Sequence, residues 1–217
     1  MINAAARNPA VEGGPPPALP GFEHVRRYWD KTRGKYVAKI LPGEYYVTTH
    51  DELVTTVLGS CVAACIRDRI FGIGGMNHFM LPARGHAGDQ GRHGIDAATR
   101  YGVHAMEHLI NDILKHGGRR DNLEVKVFGG GQILAQMTDI GAQNIAFVRE
   151  FVATERLRLV SEDLGDVYPR KVVYEPRTGR AQRKKLRSLH NDTIFHREVA
   201  YLRELERQPV AGEVELF

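Results

Sequence analysis

Apolar and polar positions alternate with a period of two over several short stretches, and with a period near 3.6 over longer ones. Glu44–Thr48 alternates after a Pro42–Gly43 turn, and Leu53–Leu58 reads as a strand running into a Gly59–Ser60 corner. Val62–Ile66 is a β-prone apolar run headed by Cys61. Asp68–Phe71 reads as a turn, and Gly72–Leu81 returns as the second arm of a hairpin. Leu123–Phe128 alternates up to Gly129–Gly131. Leu159–Glu162 and Arg170–Tyr174 read as strands, and Pro176–Gly179 turns the chain into a last strand near Lys185. Ala98, Tyr101, Ala105, Leu109 and Ile113 form a helical stripe between an Asp96 N-cap and a Gly117–Gly118 stop. Ile145, Val148, Phe151 and Val152 give the inner face of a second helix from Gln143 to Leu157. Strands outnumber helices and tight turns join many of them. The expected fold class is therefore α+β: layers of largely antiparallel sheet with two long outer helices.

The ends have a different texture. Met1–Pro20 is rich in Pro, Gly and Ala, so residues 1–21 read as a disordered tail. Phe22–Tyr36 reads as a short helix or an irregular arm, and Ala83–Gly94 as a loop near the hairpin. The domain is expected to span 22–190. Residues 191–217 form a tail, with an exposed helix over Ile194–Arg207 and an acidic-apolar end over Glu213–Phe217.

A chain of 217 residues is long enough for one sizeable core, and 42% hydrophobic with 26% charged residues is ordinary globular composition. No apolar run approaches the roughly 20 residues that cross a bilayer, and the N-terminus lacks the charged-then-apolar order of a signal peptide. A cytoplasmic protein without membrane insertion is the expectation. The net charge of +4 is mild, and its basic residues gather at Arg177, Arg180, Arg183, Lys184, Lys185 and Arg187. That run lacks interleaved aromatics and any nucleic-acid motif. A hairpin edge guarded by Lys and Arg explains it, and so does steering toward an acidic protein surface.

Two residues in the hairpin carry chemistry. Cys61 follows the Gly59–Ser60 pair at a strand mouth, and His78 on the returning arm comes back toward it. An imidazole beside a thiol lowers the thiol pKa and later protonates a leaving group, which is the minimal kit for nucleophilic acyl transfer. Cys65 lies a full same-face repeat from Cys61, beyond the usual disulfide Cα span of about 4.4–6.8 Å. Both thiols are expected to be free, Cys65 as a small buried hydrophobe and Cys61 as the exposed one.

A second pattern competes. His104-Ala105-Met106-Glu107-His108 spells the H-x-x-E-H signature of inverted zinc peptidases on a helix, with Glu150 or Glu155 as a third ligand. Five-residue patterns arise by chance in a chain with 10 His, and nothing downstream is specific for that third ligand. No metal and no cofactor are expected.

Leu58-Gly59-Ser60-Cys61-Val62 and Gly74-Gly75-Met76-Asn77-His78-Phe79-Met80-Leu81-Pro82 resemble the CheD family, the chemoreceptor glutamine deamidases of bacterial chemotaxis. Leu41–Thr48 extends the resemblance upstream. Downstream it takes in Arg100-Tyr101-Gly102, Lys126–Gly130, Ile140-Gly141, Asn144, Asp163-Leu164-Gly165 and Lys171–Val173. It runs in order from Phe22 to Leu186. The chain departs from the family pattern at Asp166, at Pro169-Arg170 and at Gly131-Gln132. The resemblance implies an α/β layered sandwich, similar to the catalytic domains of deamidating bacterial toxins. It implies Cys61 as nucleophile, His78 as general base and acid, and Thr55 as the third member that orients the imidazole. Backbone N–H groups around Gly59, Ser60 and Cys61 would then hold the oxyanion. The implied substrates are glutamines on the cytoplasmic helices of methyl-accepting chemoreceptors, with a CheC-type phosphatase as a second partner. A catalytically idle adaptor that grips the same partners is the alternative, and an intact Cys61 and His78 count against it.

Overall fold

The computed structural model of the chain describes residues 14–82, 97–133, 138–186 and 191–207. Ten strands run in chain order: β1 (Arg26–Asp30), β2 (Lys35–Lys39), β3 (Tyr45–Thr48), β4 (Leu53–Leu58), β5 (Val62–Asp68), β6 (Gly74–Asn77), β7 (Leu123–Gly129), β8 (Arg158–Leu164), β9 (Arg170–Glu175) and β10 (Arg180–Lys185). Among the described residues three α-helices accompany them: α1 (Ala97–Lys115), α2 (Thr138–Thr154) and α3 (Asn191–Arg207). The strands form two five-stranded sheets, ordered β1-β2-β4-β9-β10 and β3-β6-β5-β7-β8. Each is mixed, since β2 pairs with β4 and β7 with β8 in parallel while the remaining pairs are antiparallel. The α+β expectation holds as a sheet-dominated fold, divided over two sheets rather than one and with a third long helix.

Period-two alternation sorts the faces of the first sheet. Val54, Leu58, Val172 and Tyr174 point into the main core, while Val37, Leu53 and Val173 gather on the opposite face with Tyr28. Every residue from Val62 to Ile66 is fully buried, as suits a strand covered on both faces. One face of the second sheet meets the first, and α1 and α2 cover the other. The buried stripe of α1 is Met106, Leu109, Ile110 and Ile113, rotated from the expected one so that Tyr101 and Ala105 lie at its margin. Helix α2 starts earlier than predicted and ends at Thr154, burying Phe147, Val148, Phe151 and Val152.

Other expectations need correction. Phe22–Tyr36 is neither helix nor irregular arm: β1 pairs with β2 from Arg26↔Lys39 to Asp30↔Lys35. Residues 14–21, assigned to a disordered tail, include Ala18 and Leu19 packed on the core and Pro16, whose carbonyl accepts from Arg27. The tail helix exists as α3 but is not exposed all round, since Ile194, Glu198 and Leu205 are buried. Asp96, the 83–94 loop, residues 1–13, Arg187 and the 213–217 end lie outside the described residues. The basic hairpin edge falls on β10, the last strand of its sheet, where Arg183 pairs with Asp163 and Lys185 with Asp166. At the departure from the family pattern, Asp166 adopts a left-handed backbone (φ 74°), a conformation Asp tolerates better than most residues. No described helix is long and apolar enough to cross a membrane.

Candidate active site

The β5–β6 hairpin determines which side chains meet. Asp68 caps its turn by accepting from the N–H groups of Ile70 (2.7 Å) and Phe71 (2.9 Å). The arms pair as Cys65↔Met76, Ile66↔Gly75 and Arg67↔Gly74, and a Val62↔Phe79 bridge continues the register beyond β6. Cys61 and His78 are then diagonal neighbours on one face, within reach of each other's side chains. The Cys61 Sγ, a His78 ring nitrogen and a Glu198 carboxylate oxygen all lie within 4.8 Å of one another, and all three residues are buried.

The tautomer of His78 follows from hydrogen-bond bookkeeping. Thr56 spends its single hydroxyl proton on the Ile40 carbonyl (2.9 Å), so its oxygen must accept from His78 Nδ1–H at 2.7 Å. That leaves Nε2 as the bare, basic nitrogen, and it has no hydrogen-bond partner. The hydroxyl against the ring is that of Thr56, not that of Thr55, the expected orienting residue. The Thr55 hydroxyl instead donates to the Val172 carbonyl (2.7 Å). The two threonines are one residue apart, which on a strand places them on opposite faces.

The Gly59–Cys61 loop is held from behind and faces the Glu198 carboxylate in front. Its three carbonyls accept from Gly131 N–H (2.7 Å), Asn144 Nδ2 (2.9 Å) and Gly130 N–H (2.8 Å) in turn. Asn144, on α2, also accepts from Leu81 N–H (2.8 Å), tying this loop to the segment that follows His78. With the carbonyls fixed, the N–H groups of Gly59 (2.8 Å), Ser60 (2.9 Å) and Cys61 (3.5 Å) converge on the carboxylate of Glu198. The Ser60 hydroxyl adds a fourth donor at 2.7 Å. A Cβ on Gly59 would run first into Ile133 Cδ1 and would lie 2.7 and 2.8 Å from the two Glu198 oxygens, so glycine is needed for a group to come this close. Fixed donors beside a thiol are an arrangement that can hold an oxyanion.

Electrostatics here reflect dryness. Burial, then the Glu198 carboxylate, raise the Cys61 thiol well above its ordinary range, although Cys61 was expected to be exposed. Burial, helped by Arg197, pushes His78 down to about 3. Cys65 is buried as expected, and its thiol is raised by burial as well.

The structure thus brings together Cys61, His78, Gly59 and Ser60, and leaves Thr55 outside. Sequence reasoning missed Thr56 and Glu198. Glu198 was findable, because it interrupts an apolar stripe of Ile194, Tyr201 and Leu205 at helical spacing. The trio of Cys61, His78 and Glu198 has the donor set for a cation, but Glu198 would have to release its backbone donors to bind one. His104 and His108 lie together on the exposed side of α1 with ring centroids 3.9 Å apart and planes tilted by 57°. They join no cluster of metal-ligating residues among the described residues. Glu155 is paired with Arg120 instead.

A family model described as CheD chemotactic sensory transduction matches residues 80–185, a stretch that starts just beyond His78. Full-length relatives span the rest. A Halorhodospira halophila protein named Probable chemoreceptor glutamine deamidase CheD is 56% identical over 205 residues, which are 93% of this chain and 94% of that one. Proteins of the same name from Hahella chejuensis and Methylobacillus flagellatus are 49% identical over 216 residues (100% of both chains) and 55% identical over 192 residues (88% and 94%). With identities near one half over almost the whole length, this chain belongs to the CheD family.

Proposed function

We propose that this chain is a protein-glutamine deamidase that converts specific glutamines of methyl-accepting chemoreceptors to glutamate through a cysteine thioester. The observation that carries the reading is the run of three N–H groups, Gly59 to Cys61, aimed at one carboxylate beside a Cys61–His78 pair. His78 Nε2 takes the thiol proton, and the Cys61 thiolate attacks the glutamine carboxamide carbon. The developing oxyanion is held by the Gly59 and Ser60 N–H groups, and protonated His78 gives its proton to departing ammonia. Water, deprotonated by the same nitrogen, then cleaves the thioester. Thr56 keeps Nδ1 protonated and the ring in plane throughout.

The relatives' names supply the substrate class, and the chemistry needs no cofactor. A CheC-type phosphatase is the second proposed partner, and the cytoplasm the proposed compartment. The family likeness to deamidating toxin domains is part of the same reading, as is the view of α1 and α2 as that fold's outer helices. The test is mass spectrometry of receptors co-expressed with this chain. Specific receptor glutamines should gain about 1 Da, the mark of amide-to-acid hydrolysis, with wild-type protein and not with Cys61→Ala. Gains that persist in Cys61→Ala would defeat the reading.

A further inference from the structure

One buried group has no part in that mechanism. Glu198 is fully buried, and its neighbours at helical spacing on α3, Ile194, Tyr201 and Leu205, face the domain with it. A helix docking for stability alone would place an apolar residue at the centre of its stripe, because a buried carboxylate is costly without compensating donors. Here the donors are the N–H groups of Gly59, Ser60 and Cys61. Arg197 Nη2 donates to the Val57 carbonyl (2.7 Å) and the Tyr201 hydroxyl meets that of Tyr101, so the helix is tied down on either side of Glu198. Glu198 has the side chain that hydrolysis of a glutamine leaves behind, and it lies against the residues proposed to carry out that hydrolysis.

We propose that α3 is an intramolecular competitor for the substrate helix, with Glu198 lodged where the product glutamate would sit. This deepens the deamidase reading and rests on it. The docked helix leaves no room for a receptor glutamine, so α3 leaves the pocket before a substrate enters. It also records how a substrate docks: a glutamine on a helical surface, with an aliphatic residue four positions before it, an aromatic three after and an aliphatic seven after. That is the pattern of Ile194, Tyr201 and Leu205 around Glu198.

Two measurements on the full-length chain test this, and they fail independently. The first is iodoacetamide alkylation mapped to each cysteine. Glu198→Ala removes the plug's anchor, and Leu205→Ala loosens the helix without touching the pocket. Both should speed Cys61 alkylation at least about tenfold, while Cys65, deep in β5, stays protected and reports an intact core. Unchanged Cys61 alkylation in both variants would overturn the competitor whatever the activity. The second uses Glu198→Gln, which offers a carboxamide in the docked position. The Cys61 thiolate forms a bond to its carbon, the C–N bond breaks, ammonia leaves with the His78 proton, and water releases a carboxylate. Position 198 should then be recovered as glutamate, about 1 Da heavier than the amide, and should remain amide when Cys61→Ala is added. Receptor hydrolysis without hydrolysis at position 198 would refute the substrate-like placement. Faster alkylation with no hydrolysis of either would sink the deamidase reading and leave the plug standing.

Discussion

Thr55 and Thr56 are adjacent and chemically identical, so exchanging each for valine separates a hydrogen-bonding role at the site from a general strand role. Thr56→Val removes the oxygen that accepts from His78 Nδ1–H and the proton that satisfies the Ile40 carbonyl. Two buried polar groups lose their partners, each worth about 1–3 kcal/mol, so a destabilisation of roughly 2–4 kcal/mol is expected after some relaxation. Deamidation should fall more than stability explains. Without the acceptor the ring is free to populate the other tautomer, which puts the N–H toward Cys61 and removes the base. A loss in kcat of about 10²-fold follows from losing general-base function.

Thr55→Val loses only the bond to the Val172 carbonyl on the far face, about 1 kcal/mol, and should keep full activity. The assay is a steady-state ammonia-release measurement on a receptor fragment, paired with urea unfolding of each variant. Thr56→Ser should restore most of the activity, which a merely structural role would not require. Loss of activity in Thr55→Val with Thr56→Val fully active would refute the tautomer argument.

Gly59→Ala should abolish activity, because the new methyl would press on Ile133 and on the space that Glu198 now occupies between the donors; a crystal structure of the variant would show the displacement. Cys61→Ala should end deamidation, while Cys65→Ala should cost about 1 kcal/mol and keep activity, measured by mass spectrometry and urea unfolding. His104→Ala with His108→Ala, and separately a chelator, should leave activity unchanged; the double variant should shift stability by less than roughly 0.5 kcal/mol, as exposed positions do. Acidification should destabilise the fold through His78. Its folded pKa of about 3 lies below its ordinary 6.5, so the unfolded chain binds the proton first and stability is full above 6.5 and falls as pH drops toward 3. Urea unfolding at pH 7.5 and 5 should show a smaller drop for His78→Gln than for wild type, and equal drops would contradict the assignment.

The sequence made the hairpin legible because its punctuation is local. Asp68 caps a turn within three residues, and apolar runs on both sides specify the arms. Cys61 and His78 follow from the register, so they too were readable. What was not readable depended on parity or on distance. The choice between Thr55 and Thr56 turns on which face of β4 meets β6, and that is decided by the packing of two sheets rather than by either strand. The β1–β2 hairpin was hidden because Arg26–Asp30 and Lys35–Lys39 carry charges at their exposed positions, and an edge hairpin with that pattern resembles a polar arm. Glu198 lies more than a hundred residues from the loop it caps. Its signal was a lone carboxylate in an apolar stripe, and the partners that give it meaning come from elsewhere in the chain.

The closed arrangement accounts for a site that looks ill suited to its chemistry. A thiol raised by burial and an imidazole held near 3 are each pushed toward the neutral form, so the docked state disfavours the thiolate–imidazolium pair. Both shifts have burial as their largest cause, and the second cause of the first is Glu198 itself. Removing α3 admits water, which lowers the thiol and raises the imidazole; loss of the Glu198 carboxylate lowers the thiol further, and loss of Arg197 raises the imidazole further. The backbone donors do not depend on the helix, since Gly130, Gly131 and Asn144 hold them from behind. Opening the site therefore changes its protonation without dismantling its geometry. A pocket built from backbone and braced from the core can be covered by a helix and still be preorganised when the helix leaves.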